Sequence, residues 1–252
     1  MFEPIRGFTS LSETSSPEHV VQLLNRYFSA QTEIIFSHGG TLDKFIGDAI
    51  MAFWNAPLDV PGHPALAVDA ALSMQEQLEA LNGEIEASFG TRLAMGAGIH
   101  TGQAYVGNMG SDDLINYTLI GDNVNLASRL EGLCKRYGAP VVVSEHTMQG
   151  CGDAFAFVHL DVLRVKGKTK PVSIYWPMRL GTDEVFQQTM PQWMTARSQY
   201  EQGDFAGAAA GFAALAAAHP AVRLFGLYHE RSLTLVQSPP RDWEGIWTME
   251  GK

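Results

Sequence analysis

The sequence predicts an α+β fold: a βαββαβ core with a helical tail behind it. Three observations carry this reading. The element signals run helix, two strands, helix, strands, helix, strand, without the alternation a doubly wound parallel sheet requires. Residues 41–46 and 49–54 are strand-like and joined by Gly47-Asp48, a hairpin turn dipeptide. A strand before Ile5 would complete the unit, and here that first strand is almost absent.

Each element has its own signals. Ser16-Pro17 is an N-cap followed by proline at the first helical position. Val20, Val21, Leu23, Leu24, Tyr27 and Phe28 then recur at helical spacing until Gly39-Gly40 stops them. After a proline-rich loop, Leu66, Ala70, Met74, Leu78 and Leu81 line one side of a helix over 63–81. Residues 93–100, 103–108 and 114–120 read as strands punctuated by glycine. A helix over 123–137 follows, with Asp122 as its N-cap and Gly138 as its stop. Residues 141–143 form a buried strand, and 155–176 two strands around Gly167-Lys168.

Composition shifts near Pro177, which divides the chain into units 1–178 and 179–252. In the second, Ala196, Tyr200, Gly203-Asp204-Phe205, Ala208, Phe212 and Pro220 resemble one tetratricopeptide-type helical hairpin. A single repeat cannot bury its own apolar face, so this tail is expected to dock. Pro239-Pro240, Trp243 and Trp247 suggest an extended end pinned by aromatics.

The formal net charge of -10 argues against a nucleic-acid-binding surface, though a local basic pocket remains compatible with it. The two cysteines, Cys134 and Cys151, have no metal or redox spacing, and a reducing, cytoplasmic setting follows. No run reaches the roughly 18 apolar residues that span a bilayer.

Four segments carry the chemistry: Ile5-Arg6-Gly7-Phe8-Thr9, Lys44-Phe45-Ile46-Gly47-Asp48, the run from Tyr117 through Gly121-Asp122-Asn123-Val124-Asn125 to Arg129, and Val165-Lys166-Gly167-Lys168. Together and in this order they resemble the class III adenylate and guanylate cyclases, over roughly residues 2 to 178. The resemblance implies the nucleotide cyclase fold and attack of a ribose 3′-hydroxyl on the α-phosphorus of ATP. The products would be 3′,5′-cyclic AMP and pyrophosphate.

It also assigns roles. Asp48 and the backbone carbonyl of Ile5 would ligate two Mg²⁺ (or Mn²⁺) per site, a pairing suited to in-line displacement. Asn125 would orient the ribose, and Arg129, one helical turn away, would neutralise charge growing on the phosphate. Lys166 would bind phosphate, while Gly7, Phe8 and Thr9 would hold the β and γ phosphates with backbone N–H groups. Lys44 can donate to adenine N1 and Thr118 can accept from the 6-amino group, a pattern guanine reverses. His100 reads as structural, and Arg6 as a residue of the surface or behind the site. The site would lie between two copies of the chain, in a head-to-tail homodimer driven by an upstream sensor or membrane-anchored domain outside it.

One position departs from the pattern. The family's second metal aspartate falls on Pro4. Glu3 cannot replace it, because a one-residue shift on a strand turns the side chain to the other face. Proline also removes a ladder donor. Weak or no activity, with truncation or misreading of a longer cyclase as the cause, is the expectation. The alternative is a catalytically impaired nucleotide-binding or dimerisation module.

Overall fold

The computed structural model describes residues 1–6, 8, 12–13, 15–164, 171–182 and 184–248. Its core is the expected βαββαβ unit: β1 (Phe2–Glu3), α1 (Pro17–Ser37), β2 (Thr41–Ile46), β3 (Ala49–Phe53), α2 (His63–Phe89) and β4 (Ala97–Ile99). These four strands lie in the order β4-β1-β3-β2, with β1 antiparallel to both neighbours. The sheet continues from β4 through β7 (Val141–Ser144), β9 (Val172–Met178) and β8 (Ala156–Arg164). A separate two-stranded ribbon joins β5 (Tyr105–Gly110) to β6 (Ile115–Ile120).

Local chemistry explains the helix boundaries. The Ser16 side chain accepts a hydrogen bond from the His19 N–H at 3.3 Å, and Pro17 opens α1. Leu23, Tyr27, Gln31 and Ile35 then recur every fourth residue on its buried face. They meet Ile50, Ala52, Ile99, Val141 and Val143 of the sheet, together with Val68, Met74 and Leu78 of α2. One face of the sheet thus packs on α1 and α2.

The opposite face carries α3 (Asp122–Glu131). Gly121, not Asp122, holds its N-cap position; Asp122 is the first helical residue, where its charge still suits the positive helix end. The helix expected to run to residue 137 breaks at Gly132. A short α4 (Cys134–Tyr137) follows and is closed by Gly138 at φ +69°. A further short helix, α5 (Glu145–Gly150), has no sequence expectation. Its Ser144 cap accepts from the Thr147 N–H at 3.4 Å.

In the tail, the expected hairpin is α6 (Glu184–Glu201) and α7 (Phe205–Ala218), and a third helix, α8 (Arg223–Gln237), follows. Trp193, Phe212, Phe225 and Tyr228 of these helices share one core with Leu126 and Leu130 of α3 and Val158 and Leu160 of β8. A buried polar network ties this junction. Asp161 accepts from the Tyr137 hydroxyl at 2.6 Å and from Arg231 Nη1 at 2.5 Å. Arg197 donates to the Leu160 carbonyl at 2.7 Å and to Glu201 at 2.8 Å. Trp243 donates to the Tyr200 carbonyl at 2.8 Å, and β10 (Trp247–Thr248) joins the sheet edge parallel to β8. Among the described residues no helix is long and apolar enough to cross a membrane.

Candidate active site

Three groups of candidate residues are placed by three different elements. The first lies at the β2–β3 turn. Gly47 takes φ +63°, which a tight hairpin turn needs, and Asp48 follows it. The Asp48 carboxylate accepts a hydrogen bond from the Ile5 N–H at 3.0 Å. The backbone of β1 explains this meeting. Ile5 is bridged to Met95, with the flanking bonds made by Arg6 N–H to the Ala94 carbonyl (2.6 Å) and Gly96 N–H to the Pro4 carbonyl (3.4 Å). Alternation along an antiparallel strand then points the N–H and carbonyl of Ile5 itself to the other edge, where Asp48 sits.

The second group joins β2 to β6. Thr118, 8% exposed, donates to the Asp43 carboxylate at 2.7 Å, across 75 positions of sequence. The Lys44 ammonium lies 3.4 Å from the other oxygen of that carboxylate, whose side chain is 1% exposed. A register shift between Leu42 and Lys44 makes this possible. The bulge places Asp43 and Lys44 close together instead of on opposite faces. Sequence alternation carries no sign of it, and Asp43 was not anticipated.

The third group is on α3. Asn125 is exposed and Arg129 lies one turn further along. Arg129 Nη1 is buried and has no hydrogen-bond partner among the described residues. A cationic donor left in this state suits an incoming anion. Phe8 is half-buried and packs against the core around α1. Gly7, Thr9 and Lys166 lie outside the described residues.

The neighbourhood of Asp48 is rich in carboxyls. Glu3 shares the buried face of β1 with Met1 and Ile5, and the Tyr27 hydroxyl of α1 donates to it. Burial pushes its pKa well above the usual carboxylate value, and the Glu131 charge adds to this. Glu131, at the end of α3, is pushed up to about 7, mainly by burial; Arg6 opposes the shift and Asp48 reinforces it. His100 is bonded on both ring nitrogens, to Ser144 at 2.7 Å and Asn123 at 3.1 Å. Arg6 reaches the Ala139 carbonyl at 3.4 Å.

These residues fit a two-cation site only in part. Asp48 and the Ile5 carbonyl share an edge, but Pro4 offers no side-chain oxygen and Glu3 is engaged with Tyr27 on the helix-packed face. Among the described residues no group of three or more His, Cys, Asp or Glu is placed to hold a metal ion.

The mixed α+β architecture, with its central sheet flanked by helices, is the nucleotide cyclase fold. Residues 1–178 match the adenylate and guanylate cyclase catalytic domain family, and the chain belongs to that family. It is 41% identical over 175 residues to adenylate cyclase 1 of Rhizobium meliloti, covering 69% of this chain and 26% of the relative. To the adenylate cyclase of Anabaena cylindrica it is 38% identical over 182 residues, covering 69% and 35%. The chain thus spans about a quarter to a third of these two relatives.

Among solved structures, the adenylyl cyclase CyaB from P. aeruginosa superposes with a TM-score of 0.67 at 35% identity, covering 72% of this chain and 93% of that one. The guanylyl cyclase Cya2 gives a TM-score of 0.67 at 34% identity, covering 72% and 91%. Neighbours therefore include both base specificities.

Proposed function

We propose that this chain is an ATP-selective adenylate cyclase catalytic domain, forming 3′,5′-cyclic AMP and pyrophosphate. The observation that carries the reading is the convergence of Lys44 and Thr118 on one buried carboxylate. It sets an ammonium donor beside a hydroxyl acceptor, the complement of the adenine N1 and 6-amino edge. The names of the Rhizobium and Anabaena relatives agree with this choice.

In this reading Asn125 orients the ribose so that its 3′-hydroxyl lies in line with the α-phosphorus. Arg129 offers its unpartnered Nη1 to charge that grows on the phosphate. Lys166 and the backbone of Gly7, Phe8 and Thr9 hold the leaving phosphates. The cation side is short of ligands at Pro4, and low turnover in Mg²⁺ or Mn²⁺ is part of the proposal.

A homodimer with a shared site is the arrangement the surface supports. The β5–β6 ribbon exposes Tyr105 (78%), Leu114 (65%), Ile115 (62%) and Ile120 (55%), and Phe45 and Ile46 are also exposed near the hairpin tip. An isolated two-stranded ribbon is marginal in water, so a partner surface is expected to cover it. A cytoplasmic setting, an upstream sensor and the role of 179–252 as a docked extension complete the proposal.

The test is an assay of cyclic nucleotide formation from ATP and GTP, in Mg²⁺ and in Mn²⁺, on this chain and on Pro4→Asp. The expected result is weak cyclic AMP formation, no cyclic GMP, and a rise by orders of magnitude in the variant. Vigorous turnover by the unaltered chain would remove the role given to Pro4, and a preference for GTP would remove the substrate. ATP binding without turnover in either form would favour the impaired binding module. In the Pro4→Asp background, mixing Asp48→Ala with Arg129→Ala should restore partial activity through one intact hybrid site.

A further inference from the structure

The buried side chain of Asp43 touches both proposed base-reading residues, and its chemistry decides what they can offer. A free threonine hydroxyl is ambivalent: it can accept from the 6-amino group of adenine or donate to the 6-oxo group of guanine. Here its single proton is committed. Thr118 Oγ1 donates to Asp43 at 2.7 Å, and an ionised carboxylate can only accept. What remains on the oxygen is lone-pair density. The same carboxylate holds the Lys44 ammonium at 3.4 Å, leaving its other N–H groups to donate outward.

We infer that Asp43 is the positioning residue that fixes base choice, by making Thr118 an acceptor only. This inference rests on the ATP-selective reading above. Against adenine the pair presents acceptor to donor and donor to acceptor. Against guanine both contacts are mismatched, oxygen facing oxygen and ammonium facing N1–H. Lys44 can only donate, whereas Thr118 alone does not specify its polarity; Asp43, placed at the bulge of β2, does. The burial of that carboxylate matters as well. With a side chain 1% exposed, water has little room to compete for the Thr118 proton.

The consequence is a specific one for Asp43→Asn. The amide keeps the size of the side chain but can donate to Thr118 Oγ1, so the threonine proton becomes free to turn toward the base. Selectivity should then relax. The measurement is calorimetric titration of the purified chain with non-cyclising α,β-methylene analogues of ATP, GTP and ITP, which separates base choice from turnover. In the unaltered chain, the ATP analogue should bind at least about tenfold tighter than the GTP analogue, the scale of one misdirected hydrogen bond. Asp43→Asn should reduce that ratio to within about threefold, mainly by tighter binding of the guanine nucleotide.

In a Thr118→Val background the Asp43→Asn change should leave the ratio unaltered, because Asp43 acts through the hydroxyl. A merely structural role would weaken all three ligands alike in either background. The ITP analogue tests the same point without any substitution. It carries the 6-oxo and N1–H edge but lacks the 2-amino group, so it should bind as weakly as the GTP analogue. ITP binding within about twofold of ATP would overturn the acceptor-only assignment, whether or not the Asp43 variant folds. If the unaltered chain shows no preference for adenine, the ATP-selective reading fails. If it prefers adenine and Asp43→Asn keeps that preference, the role of Asp43 alone fails.

Discussion

Arg129 and Glu131 lie two positions apart on α3, and each holds polar atoms away from water. A buried donor without a partner costs about 1–3 kcal/mol, so Arg129 is held at a cost to the fold. Arg129→Ala should therefore leave the melting temperature unchanged or slightly raised. In the Pro4→Asp background it should also lower kcat about 10²–10³-fold, the scale of losing one preorganised charge. A parallel loss of stability and activity would mean that the residue is structural. For Glu131, the folded pKa is raised to about 7 from 4.5, and that of Glu3 is raised well above 4.5. The native state thus holds protons that the unfolded chain has released. The stability these carboxyls contribute is fully present below pH 4.5 and, for Glu131, lost as pH rises through about 7. Glu131→Gln should flatten that decline in a series of melting curves from pH 5 to 8, and an unchanged slope would remove Glu131 as its source. The motif residues were legible in the sequence because their spacing is local. Asp43 and Glu131 were not, since their roles arise from a bulge and from burial, which spacing does not report.

At the scale of elements, the position of α3 is set by a glycine beneath it. A Cβ on Gly98 of β4 would stand 2.2 Å from the Glu131 nitrogen and 2.3 Å from the Ala127 carbonyl oxygen. Both are backbone atoms, so no side chain can swing aside and the helix itself must shift. Gly98→Ala should cost about 1–3 kcal/mol, the usual range for overpacking, and lower activity by moving Asn125 and Arg129 together. Gly83, on the exposed side of α2, has open space at the same test. Gly83→Ala should instead stabilise by up to about 1 kcal/mol and serve as the control. Both changes are read from denaturant midpoints, and equal effects would show that contact under α3 is unimportant. The βαββαβ order, the Ser16 cap and the Gly47 turn were readable because each rests on residues close in sequence. The break of the 123–137 helix at Gly132 was hidden, because helical spacing continues across it. The third tail helix went unread because α8 is amphipathic without a repeat signature of its own.

For the whole molecule, the junction between catalytic domain and tail depends on charges removed from water. Asp161 and Arg231 have side chains 1% and 3% exposed, and Tyr137 bonds to both. Arg231 also lies over the rings of Tyr137, Tyr228 and Trp247 at 4.6 to 5.4 Å. Such a pair is weak evidence for stability as a pair, but breaking it leaves a charge stranded. Arg231→Ala should cost about 3–5 kcal/mol, since Asp161 would keep its two neutral donors, the Tyr137 hydroxyl and the Val162 N–H, but lose its opposite charge. Replacing both partners by apolar residues, Asp161→Leu with Arg231→Met, should cost far less than the single change. Because α6–α8 share a core with α3 and β8, the loss should appear as one shifted cooperative transition reported alike by tail and catalytic-domain tryptophans. Trp54 reports the catalytic side and Trp193 the tail. Two separated transitions would show instead that the tail folds apart from the domain, and that its contact with the back of α3 has no hold on the helix carrying Arg129.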